Sequence, residues 1–387
     1  MKPTCILLTL STFALFTICV GQNVTCVHDA YPPKPSLKIP TYTVNLDLPG
    51  RQRWVEITGA KKVEIANLLA VLKKFLATFG EIAEKLINFI DEKGDKFDET
   101  LPQPFADEIQ GIADATGLKL GEVVLYNIFY EVFTVCTSII AEDPQGNLYH
   151  ARNLDFGLLL GWDNKTDAWE VTEALRPLIV NVNYTRSGKV IFKAVHFAGY
   201  VGVLTAIKPG LFTLSMNERF GVDGGYIGVL EWIMGDHSAT WMGFLTRQTM
   251  ENALSYNEAR NMLVNTKMLA PAYFILGGNK TGEACVITRN RLDTRDTWEI
   301  QDAGKWYILE TNYDHWKAPL VIDDRRGPAN KCMKEMTQQN VSFKGIFNVL
   351  SSKPVLNKLT TYTALMSVKS GDLETWLQYC PDPCFPW

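Results

Sequence analysis

The chain has 387 residues, 47% of them hydrophobic and 21% charged, with a formal net charge of -4 at pH 7. That is an ordinary globular balance, long enough for a sizeable core in one large domain or two. The modest negative charge and the lack of a long Lys/Arg block argue against nucleic acid as the main partner.

The first residues read as a leader. Lys2 supplies a short positive region, Ile6 to Val20 is apolar apart from a few hydroxyls, and Cys19-Val20-Gly21 ends in a small residue, so residues 1–21 are expected to be a signal peptide cut near Gly21. The apolar run is shorter than the ~20 residues a membrane span needs. Sequons at Asn23, Asn164, Asn183, Asn279 and Asn340 fit a secretory route and are candidate glycosylation sites.

Next comes a proline-rich entry (Pro32, Pro33, Pro35, Pro40), a short strand-like stretch at 42–46, and a helical pattern over 61–90. Ile65, Leu68, Leu69, Leu72, Phe75, Leu76 and Phe79 form one apolar stripe, with Glu64, Lys73 and Lys74 off it, and Gly80 separates a second helix at 81–90. Two readings stand: a pair of amphipathic helices packed on the core, or a hairpin that lies against a lipid surface.

Cys136 follows, in Phe133-Thr134-Val135-Cys136-Thr137-Ser138-Ile139-Ile140. Asp143-Pro144-Gln145-Gly146 then turns the chain into Asn147-Leu148-Tyr149-His150-Ala151-Arg152-Asn153-Leu154-Asp155. A four-residue turn pairs Cys136 with Asn153, and a one-residue slip would put Arg152 opposite the thiol. Either register brings a guanidinium near the sulfur, where it favours thiolate and can anchor Asp155. A base is harder to name. His150 would serve a papain-type enzyme; alternatively, cleavage before Cys136 would free an α-amine on the nucleophile's own residue.

Beyond this corner the pattern is mostly β, with a hairpin from 178–184 and 189–194, a second pair at 201–207 and 211–216, and strands at 272–276 and 285–288. Helical patches fall at 226–234, 242–254 and 346–350. The class is α+β, without GxGxxG, P-loop or HExxH, and neither a cofactor nor a metal is expected. With Cys5 and Cys19 in the leader, six cysteines remain, and Cys380-Pro381-Asp382-Pro383-Cys384 reads as a disulfide closed over two prolines.

Several motifs occur in a telling order: Asn127-Ile128-Phe129-Tyr130-Glu131, Cys136-Thr137-Ser138-Ile139, Arg152-Asn153-Leu154-Asp155-Phe156-Gly157, Gly199-Tyr200-Val201-Gly202, Asn217-Glu218-Arg219-Phe220, Thr311-Asn312-Tyr313-Asp314 and Asp323-Asp324-Arg325-Arg326. By these the chain resembles the acid ceramidases over nearly all its mature length, and the related N-acylethanolamine acid amidases share several. Phe156-Gly157 with Gly161-Trp162 and the closing Cys380 to Trp387 are more similar to the ceramidase branch.

The resemblance implies an N-terminal-nucleophile hydrolase, an αββα sandwich preceded by an amphipathic helical subunit, that cuts itself between Val135 and Cys136. It implies an α-subunit of 22–135 and a β-subunit of 136–387, joined as a heterodimer by a Cys26–Cys332 disulfide, with Cys285 unpaired. The implied substrate is ceramide, hydrolysed in the lysosome with the help of a saposin-type activator and a membrane surface, with some enzyme secreted. The implied site is Cys136 as nucleophile, Arg152 as its cationic neighbour, Asp155 orienting the new amine, Asn312 donating to the oxyanion, and Arg325 and Glu218 lining the pocket, with Asn217 able to replace Glu218. Three other readings are an amidase for fatty acylethanolamides, a non-lipid amide hydrolase of the bile-salt or penicillin-acylase kind, and a catalytically silent lipid-binding glycoprotein.

Overall fold

A computed structural model describes residues 4–8, 16–20, 24–77, 101–129, 134–156, 161–219, 227–228, 231–232, 234–302 and 304–384. Two β-sheets face each other. The smaller runs Tyr307–Glu310, Thr134–Glu142, Leu148–Phe156, Thr360–Ser367, Asp372–Leu377, antiparallel throughout. The larger has eight strands in the order Thr294–Glu299, Ala284–Arg289, Ala272–Gly277, Phe212–Glu218, Thr205–Lys208, Lys189–Phe197, Ile179–Arg186, Thr41–Asn45. Phe212–Glu218 packs across Thr134–Glu142, joining the sheets face to face.

Helices cover both outer surfaces. Met242–Asn252 and Tyr256–Asn265 lie on the larger sheet, and Arg326–Met336 and Phe343–Leu350 on the smaller. The architecture is therefore the expected αββα sandwich. Because every central strand is covered on both faces, all eight residues of Thr360–Ser367 are buried, as are all six of Ala272–Gly277. Ala272–Gly277 matches the strand expected at 272–276, whereas Thr360–Ser367, with Thr360, Thr361, Thr363 and Ser367 among its apolar residues, was not among the expected strands.

The hairpin expected after 178 is present: Ile179–Arg186 and Lys189–Phe197 are joined through Ser187 and Gly188 at φ 51° and 72°, the left-handed pair that a two-residue hairpin turn requires. Helices at Phe105–Thr116, Leu120–Phe129, Tyr256–Asn265 and Arg326–Met336 go beyond the expected elements. Tyr256–Asn265 carries a readable start signal, because Ser255 accepts from the Glu258 amide at 3.2 Å while Glu258 accepts from the Leu254 amide at 2.9 Å.

The helix Lys62–Ala77 follows a short helix, Val55–Ala60. Ile65, Leu68, Leu69 and Leu72 are each at most 3% exposed and belong to the main core, so this part of the stripe packs inward. Lys73 pairs with Glu122, and Lys74 Nζ lies 2.9 Å from Glu170. The side chains of Phe75, Leu76 and Phe79, with Gly80 and the second helix at 81–90, lie outside the described residues, as do Asn23 and part of the 226–234 patch.

The N-terminal segment is knitted into the sandwich. Thr41–Asn45 runs parallel to Ile179–Arg186 and forms the edge of the larger sheet. Cys26 is bonded to Cys332 on the helix Arg326–Met336, and Cys380 to Cys384. Cys136 and Cys285 are free and buried. No helix among the described residues is long and apolar enough to cross a membrane.

Candidate active site

The hairpin that carries Cys136 differs from expectation by one residue. Glu142 pairs with Leu148, so the loop holds five residues, and Cys136 lies opposite Leu154 in neither anticipated register. The cause is Asp143. Its carboxylate accepts from the Gln145 and Asn147 amides at 2.9 and 2.8 Å and from Asn147 Nδ2 at 2.8 Å, drawing Asn147 into the loop. In the resulting ladder Cys136 and Arg152 share the face that looks into the sandwich, one diagonal step apart, while Asp155 faces the helical layer.

Arg152 is fully buried and its Nη2 donates to Cys136 Sγ. The opposite sheet holds the guanidinium in place, since Nη1 donates to Leu204 O at 2.7 Å and to Thr205 Oγ1 at 2.9 Å. Burial pushes the Cys136 thiol up to about 11, against the pull of Arg152 and Arg325 and with the push of Asp155. In the continuous chain the thiol is therefore protonated.

The neighbouring strand ends opposite Ser138, at Glu310. Two residues farther back, side chains take over the ladder's hydrogen bonds. The Cys136 N–H donates to Asn312 Oδ1 at 2.9 Å, and the Cys136 carbonyl accepts from Arg325 Nη1 at 2.6 Å. Arg325 Nη2 also donates to Asn312 Oδ1 at 2.9 Å, so the two side chains lock each other. Asp323 anchors the guanidinium from its Nε side at 2.8 Å.

Asp155 sits opposite Val135 in the ladder and meets Arg325 Nη1 at 3.4 Å and Asn357 Nδ2 at 3.3 Å. Burial raises its carboxyl to about 6, with Arg325 opposing. In the continuous chain the hydrogen-bond partner of the Cys136 N–H is Asn312. Glu218 contributes its backbone, accepting from Asn312 Nδ2 at 2.7 Å. Asn217 reaches the hairpin with its side chain, accepting from Ser138 Oγ at 2.9 Å.

His150 shares the inward face but lies beyond Arg152 and is held by Thr213 and Ser215, each at 2.9 Å. Burial pushes its imidazole down to about 3, reinforced by Arg152. It has no contact with Cys136 and is not placed to be its base. Asn357 and Thr205 were missed by sequence reasoning, since nothing local marks either one. Ser138 stood inside the Cys136 motif and could have been singled out. Among the described residues no cluster of three or more His, Cys, Asp or Glu side chains is arranged for a metal.

The matched span of one known family starts at the same residue. Residues 136–327 match the family described as linear amide C-N hydrolases, choloylglycine hydrolase family, and residues 38–101 match the beta subunit of N-acylethanolamine-hydrolyzing acid amidase. The acid ceramidase of Pan troglodytes is 51% identical over 366 residues, which cover 94% of this chain and 92% of that one. The chain belongs to the acid ceramidase family. The acid ceramidase of Mus musculus is 50% identical over 390 residues, covering 98% of this chain and 99% of that one. The solved structure of a Caenorhabditis elegans N-acylethanolamine-hydrolyzing acid amidase ortholog superposes with a TM-score of 0.54 at 32% identity, over 63% of this chain and all of that one. As in the acid ceramidase family at large, the sandwich is an N-terminal-nucleophile fold and the protein is an amidohydrolase.

Proposed function

We propose that the chain hydrolyses ceramide to sphingosine and a free fatty acid, after cutting itself between Val135 and Cys136. The observation that carries this reading is the placement of three side chains on three atoms of one residue: Arg152 on Cys136 Sγ, Asn312 on its N and Arg325 on its O. A structural thiol has no use for that arrangement.

In self-cleavage, Cys136 Sγ attacks the Val135 carbonyl, and the C–N bond breaks as the nitrogen takes a proton. Water then releases the Val135 carboxylate from the thioester. The new amine stands where the Cys136 N–H stood, beside Asn312 Oδ1. A free α-amine titrates near 7.7–8.0, and the guanidiniums of Arg152 and Arg325 lower that value. The unprotonated amine takes the thiol proton, Sγ attacks the substrate amide carbonyl, and the Asn312 side-chain N–H stabilises the oxyanion. Collapse passes the proton to the departing sphingosine nitrogen, and water releases the fatty acid.

On this reading residues 1–21 are a leader, 22–135 stay attached as an α-subunit through Cys26–Cys332, and 136–387 form the catalytic β-subunit. Three sequons, Asn164, Asn279 and Asn340, are exposed and Asn183 is half-buried, which suits glycosylation on a secretory route to the lysosome and partly out of the cell. The apolar stripe of Lys62–Ala77 would shift after cleavage and help the site engage a membrane, where a saposin-type activator presents lipid.

The 32% identity to an acylethanolamide-hydrolysing relative makes fatty acylethanolamides the competing substrate. One experiment tests both points: intact mass and N-terminal sequencing of reduced, deglycosylated protein before and after acid incubation, with ceramide and an acylethanolamide assayed side by side. A new N-terminus at Cys136, faster ceramide turnover, and loss of both in Cys136→Ala are expected. A wild-type chain that hydrolyses ceramide while whole would refute self-activation.

A further inference from the structure

We infer that Ser138 and Asn217 are positioning residues for amide cleavage, the last links of a buried hydrogen-bonded chain that sets where Asn312 stands against Cys136. The inference rests on the catalytic roles proposed above. The chain crosses the middle of the sandwich. Asn217 Nδ2 donates to Thr311 O at 2.8 Å and to Glu310 O at 3.3 Å, gripping the backbone just before Asn312. Its Oδ1 accepts from Ser138 Oγ at 2.9 Å, Ser138 accepts from Ser215 Oγ at 3.0 Å, and Ser215 lies 2.9 Å from His150 Nε2. Thr213 Oγ1 closes the far end, 2.9 Å from His150 Nδ1.

The donors run in one direction. Ser138 must donate to the Asn217 carbonyl, because Asn217 Nδ2 points to the carbonyls of 310 and 311. Ser138 therefore accepts from Ser215, and Ser215 accepts from the His150 Nε2–H, while the Thr213 hydroxyl lies between His150 Nδ1 at 2.9 Å and Gly277 O at 3.3 Å. Burial pushes the imidazole down to about 3, which keeps it neutral with its proton on Nε2. The chain therefore survives the acid pH at which a lysosomal enzyme works. Ser138, Asn217, Ser215 and Thr213 are at most 1% exposed and His150 2%, so water cannot replace a lost link freely.

The strand geometry makes such a brace necessary. Backbone pairing with the nucleophile strand stops at Glu310, and Asn312 contacts Cys136 from beyond the end of that ladder. Asn217 substitutes for the missing backbone bonds by tying 310–311 to the facing sheet, and Ser138 ties Asn217 to the strand of the nucleophile.

The test uses the full chain, a ceramide in detergent micelles, and four proteins: wild type, Ser138→Ala, Asn217→Asp and Thr249→Val. Asn217→Asp keeps shape and the acceptor for Ser138 but loses the hydrogens that hold Thr311. Thr249→Val removes one buried hydroxyl from the remote helix Met242–Asn252 and measures the effect of packing alone. In Ser138→Ala and Asn217→Asp, kcat is expected to fall on the order of 10- to 100-fold with KM within about twofold of wild type. Thr249→Val should move neither. Unchanged kcat in both folded variants, or an equal fall in Thr249→Val, overturns the inference. If wild type turns over no ceramide, the functional reading fails, and crystal structures decide the positioning role. A shift of the Asn312 side chain by about 0.5 Å or more in Asn217→Asp but not in Thr249→Val upholds it, and no shift refutes it.

Discussion

Two buried charge clusters in this molecule are built on opposite plans. In the first, Glu108 on the helix Phe105–Thr116 has both oxygens doubly engaged: Oε1 accepts from Arg53 at 2.9 Å and Arg247 at 2.6 Å, and Oε2 from Trp54 Nε1 at 2.7 Å and again from Arg247. Arg247 adds bonds to Val201 O and Glu251. In the second, around Cys136, polar atoms are left without a protein partner: Arg152 Nε, Asp155 Oδ1, and nearby Glu310 Oε2 and Thr311 Oγ1. A saturated cluster holds two parts of the chain together. An unsaturated one keeps capacity for a further partner, at the cost of desolvated atoms.

The sharpest way to break this contrast is Glu108→Ala. It strands Arg247 in the core and is expected to destabilise the fold by about 3–5 kcal/mol, read from the denaturant midpoint, while kcat per folded molecule stays within about twofold. A loss below about 1 kcal/mol would show that the cluster is not structural. Asp155→Asn should do the reverse. Activity is expected to drop roughly 100-fold or more, with a thermal midpoint at pH 5 within about 2 °C of wild type, because an Asn keeps the shape of a carboxyl that burial already holds near 6.

The smallest effect belongs to Glu310, whose carboxyl burial raises from 4.5 to about 8 against the pull of Arg326. Between those values the folded chain keeps a proton that the unfolded chain has lost. The stability contributed is complete below 4.5 and disappears as pH rises through 8. Asp155 acts with the same sign up to about 6. Glu310→Gln, neutral at every pH, should therefore match wild type at pH 5 and lose less thermal stability between pH 5 and 8. An unchanged pH slope would show that Glu310 is ionised in the fold.

The legibility of the site varied with how local each element was. Cys136, Arg152 and Asp155 lie within twenty residues of one another on one hairpin, and their order marked a reactive corner without any tertiary information. Asn312 and Arg325 were reached only through resemblance, since each is more than 170 residues from Cys136. The register failed by one residue because Asp143 organised a longer loop, a side-chain effect that the Pro-Gln-Gly turn pattern concealed. Strands with turn signals, such as Ile179–Arg186, were readable. Thr294–Glu299 and Thr360–Ser367 were not, since the first reads as polar and the second mixes Thr and Ser among its apolar residues.

By itself the sequence determined the α+β class, the Cys380–Cys384 closure and the Cys136 hairpin, because turn chemistry, short loops and strand patterning act over a few bonds. The inward stripe at Ile65 to Leu72 was equally visible, although not which surface it faced. Tertiary structure alone decided that the stripe joins the core, that His150 is neutral and braced rather than the base, and that Asn312 meets the Cys136 amide. Each depends on which sheet closes over which side chain, and burial by a distant strand sets both the partner and the protonation state.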